Sequence, residues 1–199
     1  MATIELLAKI CDETPKLSQD KVNRRSIFGL VNEFQNDDAA FLDVGHIFRR
    51  TATTVERTMG GTSGAIYAIF LNAVANSLTD QAQALANPST STNLPNLIRA
   101  SLQRGLHELC HYTPAHIGHR TLMHALIPFV EAYTARASLR DAVLEARKGA
   151  ETTRQMAAAL GRASYVGRDR LFDEEGGIPD PGALGVVSIL KGVEAVLGE

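Results

Sequence analysis

A glycine-rich turn ahead of a helix is the first segment with residue types suited to chemistry. Residues 59–67 read MGGTSGAIY, so Gly60 and Gly61 allow positive φ angles and close approach of a ligand. Thr62 and Ser63 follow at the helix start, where hydroxyls and unpaired backbone N–H groups meet the positive end of the helix dipole. The turn predicts a site for an anion such as phosphate. A plain helix cap is the alternative, because the segment is not a P-loop and contains no lysine.

A long segment ahead of the last helix holds a second set of candidates. Residues 160–185 read LGRASYVGRDRLFDEEGGIPDPGALG. An arginine such as Arg162 can clamp a phosphate with two parallel hydrogen bonds. Asp180 and Pro181 have the residue types of a helix N-cap and a first helical position. By composition the segment is an ordinary surface loop, but loops of this length in compact domains often carry function.

Histidines cluster in and just before the segment LCHYTPAHIGHRTLMHAL, residues 109–126. Five of the six histidines lie between positions 107 and 124. His107 and His111 are four residues apart on a predicted helix, a spacing that can chelate a metal. No carboxylate is obviously placed to orient them, so no metal ligands are predicted. Because histidine titrates near neutral pH, His119 and His124 are candidates for general acid–base catalysis.

The elements that must position these residues are helices. Apolar residues recur at helical spacing along most of the chain, and strand patterns are nearly missing. We predict an all-α bundle or barrel in one domain, residues 1–199. Small residues between positions 138 and 160, including Ala142, Ala146 and Ala157, predict a close helix–helix contact. The predicted helices lie near residues 4–10, 27–34, 44–55, 66–74, 97–109, 122–133, 138–160 and 182–197.

Composition narrows the class of partner. A net charge of −2 and a pI near 6.3 carry no polyelectrolyte signal, so nucleic acid is not expected as a partner. No apolar run approaches the length that spans a bilayer, and the N-terminus lacks a secretory pattern. Cys11 and Cys110 form no disulfide framework, which predicts a cytoplasmic protein. The expected partner is a small molecule, with a homodimer or a partner subunit as further options.

Three motifs in order give the chain a family likeness. The segments TVERTMGGTSGAIYAIFLNA, GHRTLMHALIPFVEA and GRASYVG…GIPDPGALGVV closely resemble the ATP-binding L domain of the dihydroxyacetone kinase family. They look most like the version fused at the C-terminus of eukaryotic-type kinases. The likeness extends from about Phe41 to the C-terminus. It implies an antiparallel barrel of eight helices, with the nucleotide bound at one end.

The resemblance also implies roles for particular residues. The glycine turn would hold the phosphates, and the arginine of the Gly-Arg-Ala-Ser motif would lie near them. The Asp-Pro-Gly segment would lie near the adenine, and the Thr-Leu-Met segment would enclose adenine and ribose. The implied binding residues are Gly60, Gly61, Thr62, Ser63, Thr121, Leu122, Met123, Arg162, Asp180, Pro181 and Gly182.

Two departures from the family pattern concern charge. Kinases of this family hold two magnesium ions through an acidic Gly-Asp-Gly-Asp loop, which is missing from the corresponding segment DETPKLSQDKVNRRSIFGLV. Asp20 is a carboxylate near that position, and Asp37 and Asp38 follow the second predicted helix. The segment GHRTLMH also places His119 and His124 where the family has aspartates. Since phosphoryl transfer relies on metal ions to neutralise charge, magnesium is not expected to bind.

Three hypotheses follow for function. The leading one is that Mg-ATP phosphotransfer has been lost and the pocket binds another small molecule, or transforms it without metal. His119, His124, Arg162 and Tyr165 are then the expected catalytic groups, no cofactor is required, and ATP or ADP is an optional ligand. The first alternative is a dihydroxyacetone kinase-type phosphotransferase subunit that needs a partner chain. The second is a non-catalytic, pseudokinase-like regulatory or binding protein. Whether the chain is an enzyme stays open.

Overall fold

The computed structural model describes residues 44–84, 93–160 and 177–197. These residues form six α-helices and one short 3₁₀ turn, and they contain no strand. The all-α prediction is confirmed. The first two predicted helices lie outside the described residues. The elements are α1 (Val44–Thr58), α2 (Gly61–Ala84), α3 (Leu94–Tyr112), α4 (Met123–Thr134), α5 (Leu139–Thr152), the 3₁₀ turn Thr153–Gln155 and α6 (Pro181–Leu197).

Neighbouring helices run antiparallel. Gln81, near the end of α2, donates a hydrogen bond to Ser101 near the start of α3 (2.7 Å). Arg99, also near the start of α3, donates to the carbonyl of Tyr133 near the end of α4 (2.8 Å). Helices that follow one another in the chain pack side by side, and only Met59 and Gly60 separate α1 from α2. Residues 58–61, 113–123, 152–153 and 178–181 therefore gather at one end of the bundle, here called the junction end.

The core fills the space between α2, α3, α4, α5 and α6. Leu109, Met123, Val74 and Val130 are among the fully buried side chains. The inner face of α5 consists of small residues, as predicted, with Ala142, Val143, Ala146 and Ala150 all buried. A Cβ added at Gly149 would lie 1.9 Å from the carbonyl oxygen of His124. The backbones of α5 and α4 thus touch at the junction end, which confirms the close helix contact.

The end of α5 differs from the prediction. The small-residue pattern suggested a helix to Leu160, but α5 ends at Thr152. The hydroxyls of Thr152 and Thr153 donate to the carbonyls of Gly149 and Ala150, both at 2.6 Å, and these bonds close the last turn. Ala157, expected to join the helix contact, lies outside the helix and is exposed.

Other boundaries shift by smaller amounts. Helix α2 extends from Gly61 to Ala84, beyond the predicted range of residues 66–74 at both ends. Pro128 lies inside α4 and does not end it. Leu197, the last residue of α6, is 63% exposed. No helix within the described ranges has an apolar stretch long enough to cross a lipid bilayer.

Candidate functional site

The structure brings three of the four predicted groups of binding residues to the same end of the bundle. The turn with Gly60 and Gly61 joins α1 to α2, and Thr121 lies in the turn before α4. Asp180 precedes α6. All of these positions belong to the junction end, as the antiparallel packing requires. Arg162, the fourth group, lies outside the described residues together with Tyr165.

The glycine turn is open to solvent. Gly61 has a φ of +78°, a left-handed conformation that favours glycine, and it begins α2. The side chains of Thr62 and Ser63 are exposed, and neither is hydrogen-bonded to another part of the described chain. The first-turn N–H groups of α2 have no acceptor within their own helix. Hydroxyl and N–H donors are therefore available together at the positive end of the α2 dipole, which suits an anionic group.

The turn before α4 is held from inside by His124. This side chain is 1% exposed. The backbone N–H of Gly118 donates to Nε2 at 2.7 Å, so Nδ1 carries the ring proton. Nδ1 donates to the hydroxyl of Thr152 at 3.2 Å, and that hydroxyl donates to the carbonyl of Gly149. A continuous chain of hydrogen bonds therefore links the turn to the end of α5.

This bonding fixes the neutral form of His124. Burial lowers its pKa, and the nearby His119 lowers it further. Both ring nitrogens already have partners, so no nitrogen is free to exchange a proton with a ligand. The ring of His119, in contrast, is half-buried and lies 3.7 Å from that of His116, centroid to centroid. The Nδ1 of His119 is buried and finds no hydrogen-bond partner in the part of the chain that the structure describes. His119 is therefore better placed than His124 for the predicted acid–base role.

Asp180 caps α6, as predicted. Its Oδ1 accepts a hydrogen bond from the N–H of Ala183 at 2.9 Å, which is the pattern of an N-cap. Its own N–H donates to the hydroxyl of Thr153 at 2.7 Å. The carboxyl group is buried, and burial raises its pKa; the Ala183 N–H, the charge of Arg120 and the Gly182 N–H act in the opposite direction. The start of α6 is thus fixed to the end of α5.

The Thr-Leu-Met segment is mostly part of the core. Leu122 is 3% exposed and Met123 is fully buried, whereas Thr121 is half-buried. A Cβ added at Gly182 would lie 3.3 Å from the Cβ of Leu122, so the turn before α4 touches the start of α6. Arg120, next to Thr121, is 2% exposed, and its Nη2 donates to the carbonyl of Ile178 at 2.7 Å. Two predicted parts of the site therefore form a single packed unit.

The described residues contain no metal centre. They include no group of three or more histidine, cysteine, aspartate or glutamate side chains that could hold a metal ion. His107 and His111 are exposed, with ring centroids 4.7 Å apart. Nδ1 of His111 is engaged with the backbone carbonyl of His107 at 2.9 Å.

Comparison with known proteins places this arrangement in a family. The family model described as the DAK2 domain matches residues 24–195. The chain belongs to the DAK2-domain family. The match covers all three motifs on which the family likeness was based.

Several relatives of this DAK2 domain are kinases by name. The domain is 43% identical over 141 residues to the dihydroxyacetone kinase of Pichia angusta. This alignment covers 69% of this chain and 23% of that protein. It is 43% identical over 149 residues to dihydroxyacetone kinase 2 of Saccharomyces cerevisiae, covering 74% and 24%. It is 35% identical over 147 residues to the human triokinase/FMN cyclase, covering 70% and 23%. The chain thus spans about a quarter of the length of these relatives.

A solved structure shares the fold. The crystal structure of the dihydroxyacetone kinase of C. freundii aligns with a TM-score of 0.63 and 23% identity. The alignment covers 98% of this chain and 34% of that one. The helical DAK2 fold expected from the resemblance is confirmed.

The leading functional hypothesis was wrong. It held that phosphotransfer had been lost and the pocket repurposed, because the acidic loop is missing before Val44. Relatives at 43% identity are named dihydroxyacetone kinase, which supports the first alternative instead. Two local departures, the acidic loop not found before Val44 and the histidines in place of aspartates at His119 and His124, had been given more weight than the similarity of the whole remaining domain.

Sequence reasoning overlooked the residues that fasten the junction end together. Thr152 and Thr153 carry the bonds to His124 and Asp180, and Ile178 supplies the acceptor for Arg120. Two adjacent threonines at the end of a small-residue helix were the available signal, because such side chains commonly bond to nearby backbone groups. The partners across the bundle could not be identified from local pattern.

A groove on the side of the DAK2 domain lies apart from this site. Its volume is about 500 Å³, and it runs along α1, α2 and α3. The polar lining includes Asn72, Asn76 and Glu108. None of the predicted binding residues lines it, so the chemistry of the junction end does not extend there.

Proposed function

We propose that this DAK2 domain is the nucleotide-binding part of an ATP-dependent phosphotransferase of the dihydroxyacetone kinase type. The observation that carries the proposal is the 43% identity over 141 residues to a dihydroxyacetone kinase. Because the chain spans 23% of that relative, a partner chain or segment would supply the binding site for the phosphate acceptor. A cytoplasmic location is part of the proposal.

In this proposal, different segments of the junction end contact different parts of the bound nucleotide. The C. freundii kinase has been solved in complex with AMP-PNP and Mg2+, and this chain aligns with it at a TM-score of 0.59. In the proposed complex, the exposed first turn of α2 receives the phosphates through Thr62, Ser63 and the free N–H groups. The packed unit formed by the turn at Thr121 and the start of α6 contacts the purine base of the nucleotide, and it is called here the purine side of the site. Arg162 is proposed to approach the phosphates, and His119 to contact the bound nucleotide.

Magnesium is a separate question in this proposal. The described residues do not fit the ion, because they offer no cluster of ligands for it. We therefore assign it no step. The carboxylates that an active phosphotransferase would need are sought in Asp20, Asp37 and Asp38, which precede Val44.

A melting experiment tests the nucleotide site. The purified chain is heated with ATP, ADP or AMP-PNP, each with magnesium and with excess EDTA. A ligand at 100 times its dissociation constant stabilises a protein by ~2.7 kcal/mol, a shift of several degrees. Thr62→Ala should reduce the shift, and Thr79→Ala is the matched control, since its hydroxyl bonds to the backbone of the same helix far from the site. Equal melting with and without every nucleotide would contradict the proposal.

A complementation assay tests the reaction class. The Pichia angusta kinase would be produced without the part that matches this chain and then mixed with the purified DAK2 domain. We expect ATP consumption that depends on added dihydroxyacetone and on both proteins. Asp20→Asn, Asp37→Asn and Asp38→Asn, made one at a time, would identify the carboxylates involved. Nucleotide binding without turnover in any mixture would favour a binding protein over an enzyme.

A further inference from the structure

Arg120 breaks two local rules at once. Its φ of 53° is in the left-handed region, which is unfavourable for a non-glycine residue. It is also 2% exposed, although arginine is almost never fully buried unless it is paired. Its Nε and Nη1 atoms are buried and have no hydrogen-bond partner among the described residues. Buried donors without acceptors are destabilising, so the stability of the fold alone does not account for this side chain.

Within the described part of the chain, the one side-chain hydrogen bond of Arg120 joins two parts of the site. The backbone of Arg120 lies in the turn before α4, and its Nη2 donates to the carbonyl of Ile178, which is 58 residues away. Ile178 stands two positions before Asp180, the cap of α6. Asp180 is buried, and its charge interacts with that of Arg120. A single side chain therefore connects the turn at Thr121 with the start of α6.

We propose that Arg120 is a positioning residue for nucleotide binding. It holds the turn at Thr121 and the Asp180–Gly182 segment in one fixed arrangement, so that the purine side of the site is formed before the ligand arrives. This inference rests on the proposed function. It explains a buried, strained and under-bonded arginine, because strained residues are retained where the surrounding structure uses them for function.

The test compares two arginines that share the same backbone strain. Arg136 also has a left-handed φ, of 68°, but it is exposed in the turn between α4 and α5, at the opposite end of the bundle. ATP and AMP-PNP binding would be measured by calorimetry for Arg120→Met, Arg120→Lys and Arg136→Met. We expect the dissociation constant to rise about tenfold in Arg120→Met, since small misplacements of binding groups are expensive. Arg120→Lys should recover part of the loss, and Arg136→Met should bind as the wild type does.

A second readout separates positioning from folding. Amide hydrogen exchange of the ligand-free proteins should be faster in Arg120→Met at both the 118–122 turn and the 180–184 segment, with a melting temperature near that of the wild type. Amide exchange in Arg120→Met that is as slow as in the wild type would overturn the positioning role. A loss of affinity that is accompanied by a lower melting temperature, and that Arg120→Lys does not rescue, would overturn it as well. Absence of nucleotide binding by the wild type would refute the proposed function and this inference with it. Equal binding by wild type and Arg120→Met would refute only the inference.

Discussion

The glycine turn before α2 and the histidine turn before α4 lie at the same end of the bundle, yet they are built in opposite ways. Thr62 and Ser63 expose their hydroxyls and form no side-chain bonds within the described chain. His124 is buried and bonded at both ring nitrogens. The first turn keeps its donors for a ligand, whereas the second uses its polar groups to keep its own shape. Substitutions should therefore change binding in one turn and stability in the other.

The largest effect is expected at Gly149, which supports the histidine turn. A Cβ there would lie 1.9 Å from the carbonyl oxygen of His124. Relieving this clash requires the backbone of α4 or α5 to shift, which is energetically unfavourable. Gly149→Ala should lower the free energy of unfolding by about 3 kcal/mol in urea titrations. Gly60→Ala is the control, because a Cβ at Gly60 meets nothing within 4 Å. If Gly149→Ala and Gly60→Ala lost the same amount of unfolding free energy, the two turns would not differ in their importance for stability.

A somewhat smaller loss is expected when the imidazole of His124 is removed. His124→Ala removes the acceptor of the Gly118 N–H and leaves a cavity where the buried imidazole stood. We expect a loss of about 2 kcal/mol in the same urea titrations. His107→Ala, on the exposed surface of α3, should change stability by less than about 0.5 kcal/mol. A wild-type-like His124→Ala protein would show that the chain of hydrogen bonds contributes little.

Acidification should weaken the histidine turn specifically. The pKa of His124 is lowered in the folded protein, so between that value and about 6.5 the unfolded chain binds more protons than the folded one. Stability should therefore fall as the pH drops below about 6.5, by ~1.4 kcal/mol for each pH unit of the window. His124→Gln should lose this dependence.

Asp180 needs separate treatment in that experiment. Its pKa is raised on folding, so its contribution has the opposite sign: stability falls as the pH rises above 3.8, the ordinary pKa of an aspartate. The free energy of unfolding is measured against pH by urea titration for the wild type and for His124→Gln. Subtracting the second curve from the first cancels the contribution of Asp180. A difference curve that is flat between about pH 5 and pH 7 would contradict the assignment of His124 as the buried neutral histidine.

The smallest stability effect is expected in the glycine turn. Thr62→Ala and Ser63→Ala remove exposed hydroxyls that have no partner within the described chain. The free energy of unfolding should therefore change by less than about 0.5 kcal/mol in either variant. The same variants should weaken nucleotide binding, measured by calorimetry. Loss of stability without loss of binding would reverse the roles assigned to the two turns.

Much of the fold could be read from local pattern. Helical spacing located the six described helices, and the Asp-Pro-Gly order located the cap of α6 at Asp180. The small residues of α5 predicted its close contact with a neighbour. These features depend on residues within a few positions of one another, which is the range over which a sequence pattern carries information.

The interior of the site depends on partners that are distant in the chain. His124 bonds to Thr152, 28 residues away, and Arg120 bonds to Ile178, 58 residues away. Nothing near His124 in the sequence distinguishes a buried structural ring from an exposed catalytic one. That distinction required the packed backbone of Gly149 and the position of the Gly118 N–H. The end of α5 was misplaced for a related reason, because Thr153 ends the helix while it accepts a bond from Asp180.

The direction of the hydrogen bonds around His124 makes its ring a built-in spectroscopic reporter. Nε2 accepts from Gly118 and Nδ1 donates to Thr152, so one of the two neutral tautomers is selected. The two ring nitrogens therefore differ in their ¹⁵N chemical shifts, and a single histidine resonance records whether the turn is closed. Opening of the turn would let the tautomers mix and move both shifts towards their average. The state of the junction end can thus be followed in solution without attaching any probe to the chain.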